Sequence, residues 1–189
     1  MQNKIKATLD PMSLGFLARS TFLVVATSNA TGRLDVSPRG GPPGFVRVLD
    51  SGEIVIPDLN GNNLIDTLGN IVETGQAGCL FVVPGRDETL RVNGPALVSI
   101  DPALLSSFDD QMRTPKTVII LEPVEVFIHC AKAFRRGGVW EPSTWPAVGD
   151  GTPDGIDILA CQFELPDGGA AFRSGAEAGY AAELAADAP

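Results

Sequence analysis

The stretch TFLVVATSNATGRLDVSPRGGPPGF, residues 21–45, decides the fold. Its first eight residues are apolar and β-branched, the composition of a buried strand. NATG (29–32) is turn chemistry, and RLDVS (33–37) resumes an alternating strand, so the pair predicts a hairpin. DVSPRGGPPGF (35–45) then gathers three prolines and three glycines into a stiff loop that holds one cation, Arg39.

Similar signals continue on both sides. Upstream, SLGFLARS (13–20) predicts a short helix with Ser13 as its cap. Downstream, FVRVL (45–49) and EIVIPD (53–58) form a second hairpin around DSGE. LNGNNLIDTLGNIVETG (59–75) sets Leu64, Ile65, Leu68, Ile71 and Val72 at helical spacing. Asn62 or Asn63 can cap that helix, Asn63 with Asp66 resembling a capping box, and Gly75 ends it. AGCLFVVP (77–84) and TLRVNGPALVSI (89–100) follow as strands, the second kinked at Gly94-Pro95. Asp101 and Pro102 open a helix over 102–112. KTVIILEPVEVFIHC (116–130) is a long strand broken at Pro123, and AKAFRRGGVW (131–140) is a helical turn ending at the glycine pair. Residues 141–172 are rich in Pro and Gly, a surface wrapping, and 175–188 form a terminal helix. Six or seven antiparallel strands with short helices and no β-α-β alternation predict a mainly β protein closed as a small antiparallel barrel. The expectation is one domain over 1–189, with its core at about 13–145 and 146–189 as a C-terminal wrapping segment and helix.

Composition narrows the function classes. The net charge of −9 is uneven: residues 1–140 hold fourteen acids and thirteen bases, residues 141–189 nine acids and Arg173 alone. Nucleic acid is disfavoured as a partner, because phosphate neutralisation needs clustered Lys and Arg. No window has the unbroken apolar length of a membrane span, so no membrane partner is expected. MQNKIKATLDPMSLGF lacks the apolar core and cleavage site of a signal peptide, and a cytoplasmic protein is the expectation. Cys79, Cys130 and Cys161 are odd in number and far apart, which predicts reduced, buried thiols. His129, the single histidine, has no nucleophile elbow to serve, and its plain reading is a strand-end imidazole bonded to a backbone carbonyl. His129 and Cys130 alternate to opposite faces, which disfavours a metal site. No phosphate-binding P-loop is present, no carboxylate pair suggests acid–base work, and no catalytic residue is assigned.

What remains is a set of anion-binding features. Arg39 sits in a rigid loop. Asn62 and Asn63 stand before a helix N-terminus, where free amides and the dipole favour a phosphate. Arg91 and Asn93 share one strand face, and Lys132, Arg135 and Arg136 form the densest basic cluster. Each has a plainer reading as well: an ion pair for Arg39, a cap for the asparagines, a solvated surface for the rest.

The order of FLVVATSNATGRLDVSPRGGPPGFV, IPDLNGNNLIDTLGNI, LFVVPGRDETLRVNG and HCAKAFRRGGVWEP resembles the pyridoxamine 5′-phosphate oxidase-like superfamily of FMN-binding split barrels, and within it the probable FMN-dependent enzymes of unknown substrate. The resemblance spans roughly residues 13–145. It implies a six-stranded antiparallel split β-barrel with short flanking helices, forming a homodimer with FMN in the interface. It implies that Ser37 and Arg39 reach the FMN phosphate, that Pro57 and Asp58 run along the isoalloxazine edge, and that Asn62 and Asn63 open the phosphate-facing helix. Arg91 and Asn93 would lie near the ribityl chain or ring, and the segment of Lys132, Arg136 and Trp140 would close the site from the other subunit. The implied activity is FMN-dependent oxidation or reduction of a small molecule. Two alternatives share the fold: a non-catalytic carrier of flavin, deazaflavin or haem, with His129 as axial ligand, and a dimeric scaffold without cofactor. The sequence departs from the pattern in two places. Leu59 and Leu64 stand where relatives often carry a second base, leaving Arg39 as the main phosphate charge. Residues 141–189 hold no histidine, so vitamin B6 oxidation is not expected.

Overall fold

In a computed structural model, residues 5–59, 65–147 and 149–189 are described, Pro166 and Asp167 by backbone alone. The chain divides into two compact units, residues up to 140 and residues 141–188.

The first unit opens with α1 (Pro11–Leu17). Its cap is Asp10 rather than Ser13: the Asp10 carboxylate accepts from the amides of Met12 and Ser13 at 2.9 and 2.8 Å. Pro11 explains the shift, since proline favours the first helical position and puts the cap one residue earlier. Then come β1 (Phe22–Ser28), β2 (Leu34–Gly40), β3 (Arg47–Val48), β4 (Ile54–Asp58), α2 (Asp66–Thr74), β5 (Gln76–Val82), β6 (Thr89–Ser99), α3 (Pro102–Ser106), β7 (Thr117–Leu121), β8 (Glu125–His129) and α4 (Lys132–Gly137). The eight strands pair antiparallel as a split barrel, in the order β2-β1-β5-β6-β7-β4-β3 with β8 also on β6. The count exceeds six or seven because the 116–130 run is two strands either side of Pro123. FVRVL pairs over two residues only.

Strand β6 belongs to both sheets. Thr89–Asn93 pair with β8, and Ala96–Ser99 pair with β7. The changeover falls at Gly94-Pro95, where the sequence predicts the kink. There the Glu122 amide donates to the Pro95 carbonyl and the Val124 amide to the Asn93 carbonyl, at 2.9 and 3.0 Å. A Cβ on Gly94 would lie 1.8 Å from the Glu122 carbonyl oxygen, so only glycine admits this approach.

Alternation along the strands sends Leu23, Val25, Phe81, Leu90, Val92 and Val126 inward, and Ile54, Ile56, Ile119 and Leu121 complete the core with Phe45 and Phe108. Helix α2 starts later than its apolar spacing predicts, at Asp66, with Ile65 at the cap position and no side-chain cap. Asn62 and Asn63, and with them the expected Asn63–Asp66 capping box, lie outside the described residues. Ile71 and Leu68 turn to the core, which leaves Ile65 and Val72 exposed, and polar bonds add to the docking of α2. Thr67 donates to Asp35 at 2.5 Å, Asn70 to Thr27 at 3.0 Å and Thr74 to the Ser28 carbonyl at 3.2 Å. Gly75 ends the helix in the left-handed conformation, as expected. Asp101 caps α3, which stops at Ser106, short of the expected 112.

The second unit is less irregular than its Pro/Gly content suggests. It holds α5 (Gly155–Gln162) and α6 (Ala170–Ala186). Asp154 and Asp157 form a reciprocal capping box on α5, and Arg173 of α6 pairs with both. Arg173 holds the Asp154 carboxyl down at about 2. Among the described residues no helix is long and apolar enough to cross a membrane.

Gly94→Ala is expected to lower the unfolding free energy by about 2–4 kcal/mol. Gly15→Ala, in α1 with nothing within 4 Å of its Cβ, is expected to raise it by about 0.5–1 kcal/mol. Urea denaturation at constant m-value checks both.

Candidate functional site

The candidate site draws on the sheet of β2, β1, β5, β6 and β8 and on the end of β4 in the other sheet. Strand β2 does not give way to a loop at Pro38 but runs on to Gly40, with Arg39 opposite Leu23 of β1. Proline is tolerated there because β2 lies at the end of the strand order. Arg39 is thus fixed by a strand rather than by a Pro/Gly loop. Alternation puts Ser37 and Arg39 on the inward face, in rows with Val25–Cys79 and Leu23–Phe81.

The Arg39 side chain is 9% exposed and faces Asp58, 14% exposed, at the end of β4, with N–O 3.2 Å. Its guanidinium also donates to Ser37 Oγ at 2.5 Å and to the Pro38 carbonyl at 2.9 Å. Asp58 Oδ1 has no well-aligned hydrogen bond, so the contact is an ion pair held by charge. Burial pushes the Asp58 carboxyl above its ordinary value and the Arg39 charge opposes that rise. Cys79 lies in the adjacent row, where burial drives its thiol up to about 12. Pro57 is buried opposite Val118. The structure thus links Ser37, Arg39 and Asp58, with Pro57 next to Asp58 on β4, while Asn62 and Asn63 lie outside the described residues.

Arg91 and Asn93 are elsewhere. They alternate outward, opposite Phe127 and Glu125 of β8. Asn93 donates to Glu125 at 2.9 Å, and Arg91 lies 3.9 Å from the same carboxylate with its guanidinium 5.4 Å from the Phe127 ring centroid. Arg91 Nε is buried without a hydrogen-bond partner. Gly78 leaves the space that the Asn93 amide oxygen fills, 2.8 Å from where a Cβ would stand. This outward face continues through Phe22, Ala26, Leu34 and Val36, all exposed.

At its far end lies a cleft of about 440 Å³ lined by Leu80, Thr89, His129, Lys132, Phe134 and Arg136. Among the described residues no carboxylate pairs with Lys132 or Arg136, whereas Arg135 pairs with Asp87 at 2.7 Å. Trp140 is not on this lining. Its indole donates to the Arg86 carbonyl at 2.7 Å, with its ring 5.8 Å from that of Phe134. His129 makes no hydrogen bond among the described residues, contrary to the carbonyl-bonded reading, and packs edge-on against Phe127 at 5.0 Å. Partial burial, helped by the Arg91 charge, holds its imidazole below the ordinary value, which favours the neutral form.

The profile describing pyridoxamine 5′-phosphate oxidase matches residues 9–130. The chain belongs to that family. Among solved structures, HupZ of Group A Streptococcus is 22% identical, with TM-score 0.52 over 64% of this chain and 94% of its own. A histidine-to-alanine variant of the same HupZ gives 21%, 0.53, 65% and 100%. These likenesses show the fold. A pyridoxamine 5′-phosphate oxidase-related FMN-binding protein of Nostoc punctiforme is 14% identical, with TM-score 0.48 over 64% of this chain and 84% of its own. No curated protein matches the chain in sequence.

The family match stops at β8 and its boundary, and β8 supplies what sequence reasoning missed. Glu125 and Phe127, with His129, share the outward face with Arg91 and Asn93. The signal was the period-two alternation of EVFIH, the same rule that places Arg91 and Asn93. Of the thiols expected to be buried, only Cys79 is so; Cys130 and Cys161 are exposed.

Removing Arg39 as Arg39→Gln is expected to raise the Asp58 midpoint further, followed by carboxyl-carbon NMR, and to cost about 3 kcal/mol at neutral pH. The sign follows from linkage. A carboxyl with a raised folded pKa binds its proton more readily folded than unfolded. Its contribution to stability therefore declines as pH rises from 3.8 through the folded value. A thiol reagent is expected to label Cys130 and Cys161 rapidly in the native protein, and Cys79 only on unfolding.

Proposed function

We propose that the protein is an FMN-dependent oxidoreductase of a small organic substrate, working as a homodimer. The observation that carries this reading is that Ser37 and Arg39 lie on the inner face of a sheet whose outer face carries Arg91 and Asn93, in a chain of this family. A planar cofactor lying against Ser37, Arg39 and Asp58 can meet Arg91 and Asn93 only if these come from a second copy. The exposed apolar residues Phe22, Leu34 and Val36, on the same face as Arg91, favour such packing.

The residues fit a flavin ring better than its phosphate. The orphaned Arg91 Nε is a buried donor in want of an acceptor, which a ring oxygen or nitrogen supplies. The Arg39 charge is already matched by Asp58, so the phosphate falls to Ser37, to the outer side of Arg39 and to Asn62 and Asn63. In this reading Pro57 and Asp58 border the ring edge and exclude water, and the Arg39–Asp58 pair offers donors without adding net charge. FMN, when bound, would supply the electron-pair transfer that no side-chain constellation here provides.

A second reading, a non-catalytic carrier of flavin, deazaflavin or haem, is favoured by the neutral, unbonded His129 imidazole facing a cleft. A Soret band lost in His129→Ala would select the haem form.

The protein is expected to purify yellow or to take up FMN on reconstitution, with flavin absorbance maxima and reduction by NAD(P)H or dithionite. Arg39→Ala and Arg91→Ala should each weaken FMN retention about tenfold or more, and Leu34→Glu with Val36→Glu should give monomers in sedimentation. Failure to bind FMN at micromolar concentration would end this reading.

A further inference from the structure

Helix α4 carries three cations of which one, Arg135, is matched by Asp87. The other two, Lys132 and Arg136, are four residues apart and border the 440 Å³ cleft. That volume lies within the usual range of ligand sites, about 300–1,000 Å³. Its lining is otherwise apolar, through Leu80, Ala133 and Phe134, with the polar groups of Thr89 and His129 beside Cys130, and it includes no carboxylate. Surface cations usually stand over polar ground where water screens them. Here they edge an apolar concavity, where a matching anion is desolvated and held more firmly.

From this we infer that the cleft binds a small molecule carrying one carboxylate on an apolar, ring-sized body. Arg136 offers a planar fork and Lys132 a point charge, a pair that suits a carboxylate. Phosphate is the poorer fit, since the cleft offers no array of backbone amides and α4 is a single short turn pair. The apolar walls take the ring, and the Trp140–Phe134 contact props the Phe134 wall in place. The neutral His129 adds one directional hydrogen bond without adding charge. Residues 1–140 hold fourteen acids and thirteen bases, so in this nearly neutral stretch two cations that pair with no carboxylate among the described residues favour an anion in the cleft. Lys132 and Arg136 thereby pass from the cofactor to a ligand of their own, and the assignment stands whether or not flavin binds.

Calorimetry on the full chain, with and without FMN, tests this using 2-naphthoate and its neutral analogue 2-naphthamide. Naphthoate is expected to bind the wild type more tightly than the amide. Lys132→Met and Arg136→Leu should each weaken naphthoate about tenfold, leave the amide unchanged and leave FMN retention unchanged. Ala133→Trp, which plugs the cleft, should abolish both probes while FMN is still retained. Equal affinity for the two probes would overturn the assignment, as would naphthoate binding that ignores both charge variants. Loss of FMN in step with naphthoate would also overturn it, returning the two cations to the cofactor while leaving the flavin reading intact.

Discussion

Everything in the barrel turns on the approach of two backbones at Gly94 and Glu122. One strand, β6, has to serve two sheets, and it can do so only if β7 and β8 meet it on either side of a corner. The corner is tied by hydrogen bonds at Pro95 and Asn93 and has no room for a side chain. Because the strand stays continuous through it, the period-two alternation is kept in phase. That phase decides that Leu90 and Val92 fill the core and that Arg91 and Asn93 face out.

The same alternation divides the polar residues by energetic character. On the inner side, Arg39 and Asp58 are largely withdrawn from water and hold each other's charge, a pair whose loss on one side leaves an uncompensated ion. On the outer side, Arg91, Asn93 and Glu125 are half-buried and share one carboxylate loosely. The first arrangement is fixed at folding. The second keeps an unsatisfied donor, Arg91 Nε, close to exposed apolar residues.

Much of the fold was legible because it rests on local rules. Strand alternation, the turn at NATG, the stop at Gly75, the Asp101 cap and the break at Pro123 each follow from a few adjacent residues. What escaped depends on distant partners. Ser13 lost the cap to Asp10 through the preference of Pro11, a local signal given too little weight. Arg39 was placed in a loop because three prolines read as a breaker, yet an end strand accepts proline without losing its ladder. Ile65 and Val72 followed helical spacing and still face solvent, since the inner side of α2 is taken by Ile71 and Leu68 together with Thr67 and Asn70, which bond to β2 and β1. For the candidate site, reading of the residues singled out Arg39, and the family resemblance added Ser37, Pro57 and Asp58. The alternation of TLRVN, with Leu90 and Val92 inward, already sets Arg91 and Asn93 on the other face; which strands flank them, and so their Glu125 and Phe127 neighbours, depends on pairing between distant segments.

Pro38 has one further bearing. Strand β2 stands at the end of the strand order, where bare amides and carbonyls ordinarily invite another chain to add on edgewise. An imide nitrogen in the middle of a seven-residue strand interrupts that template. Growth into continuous intermolecular sheets is discouraged from this side.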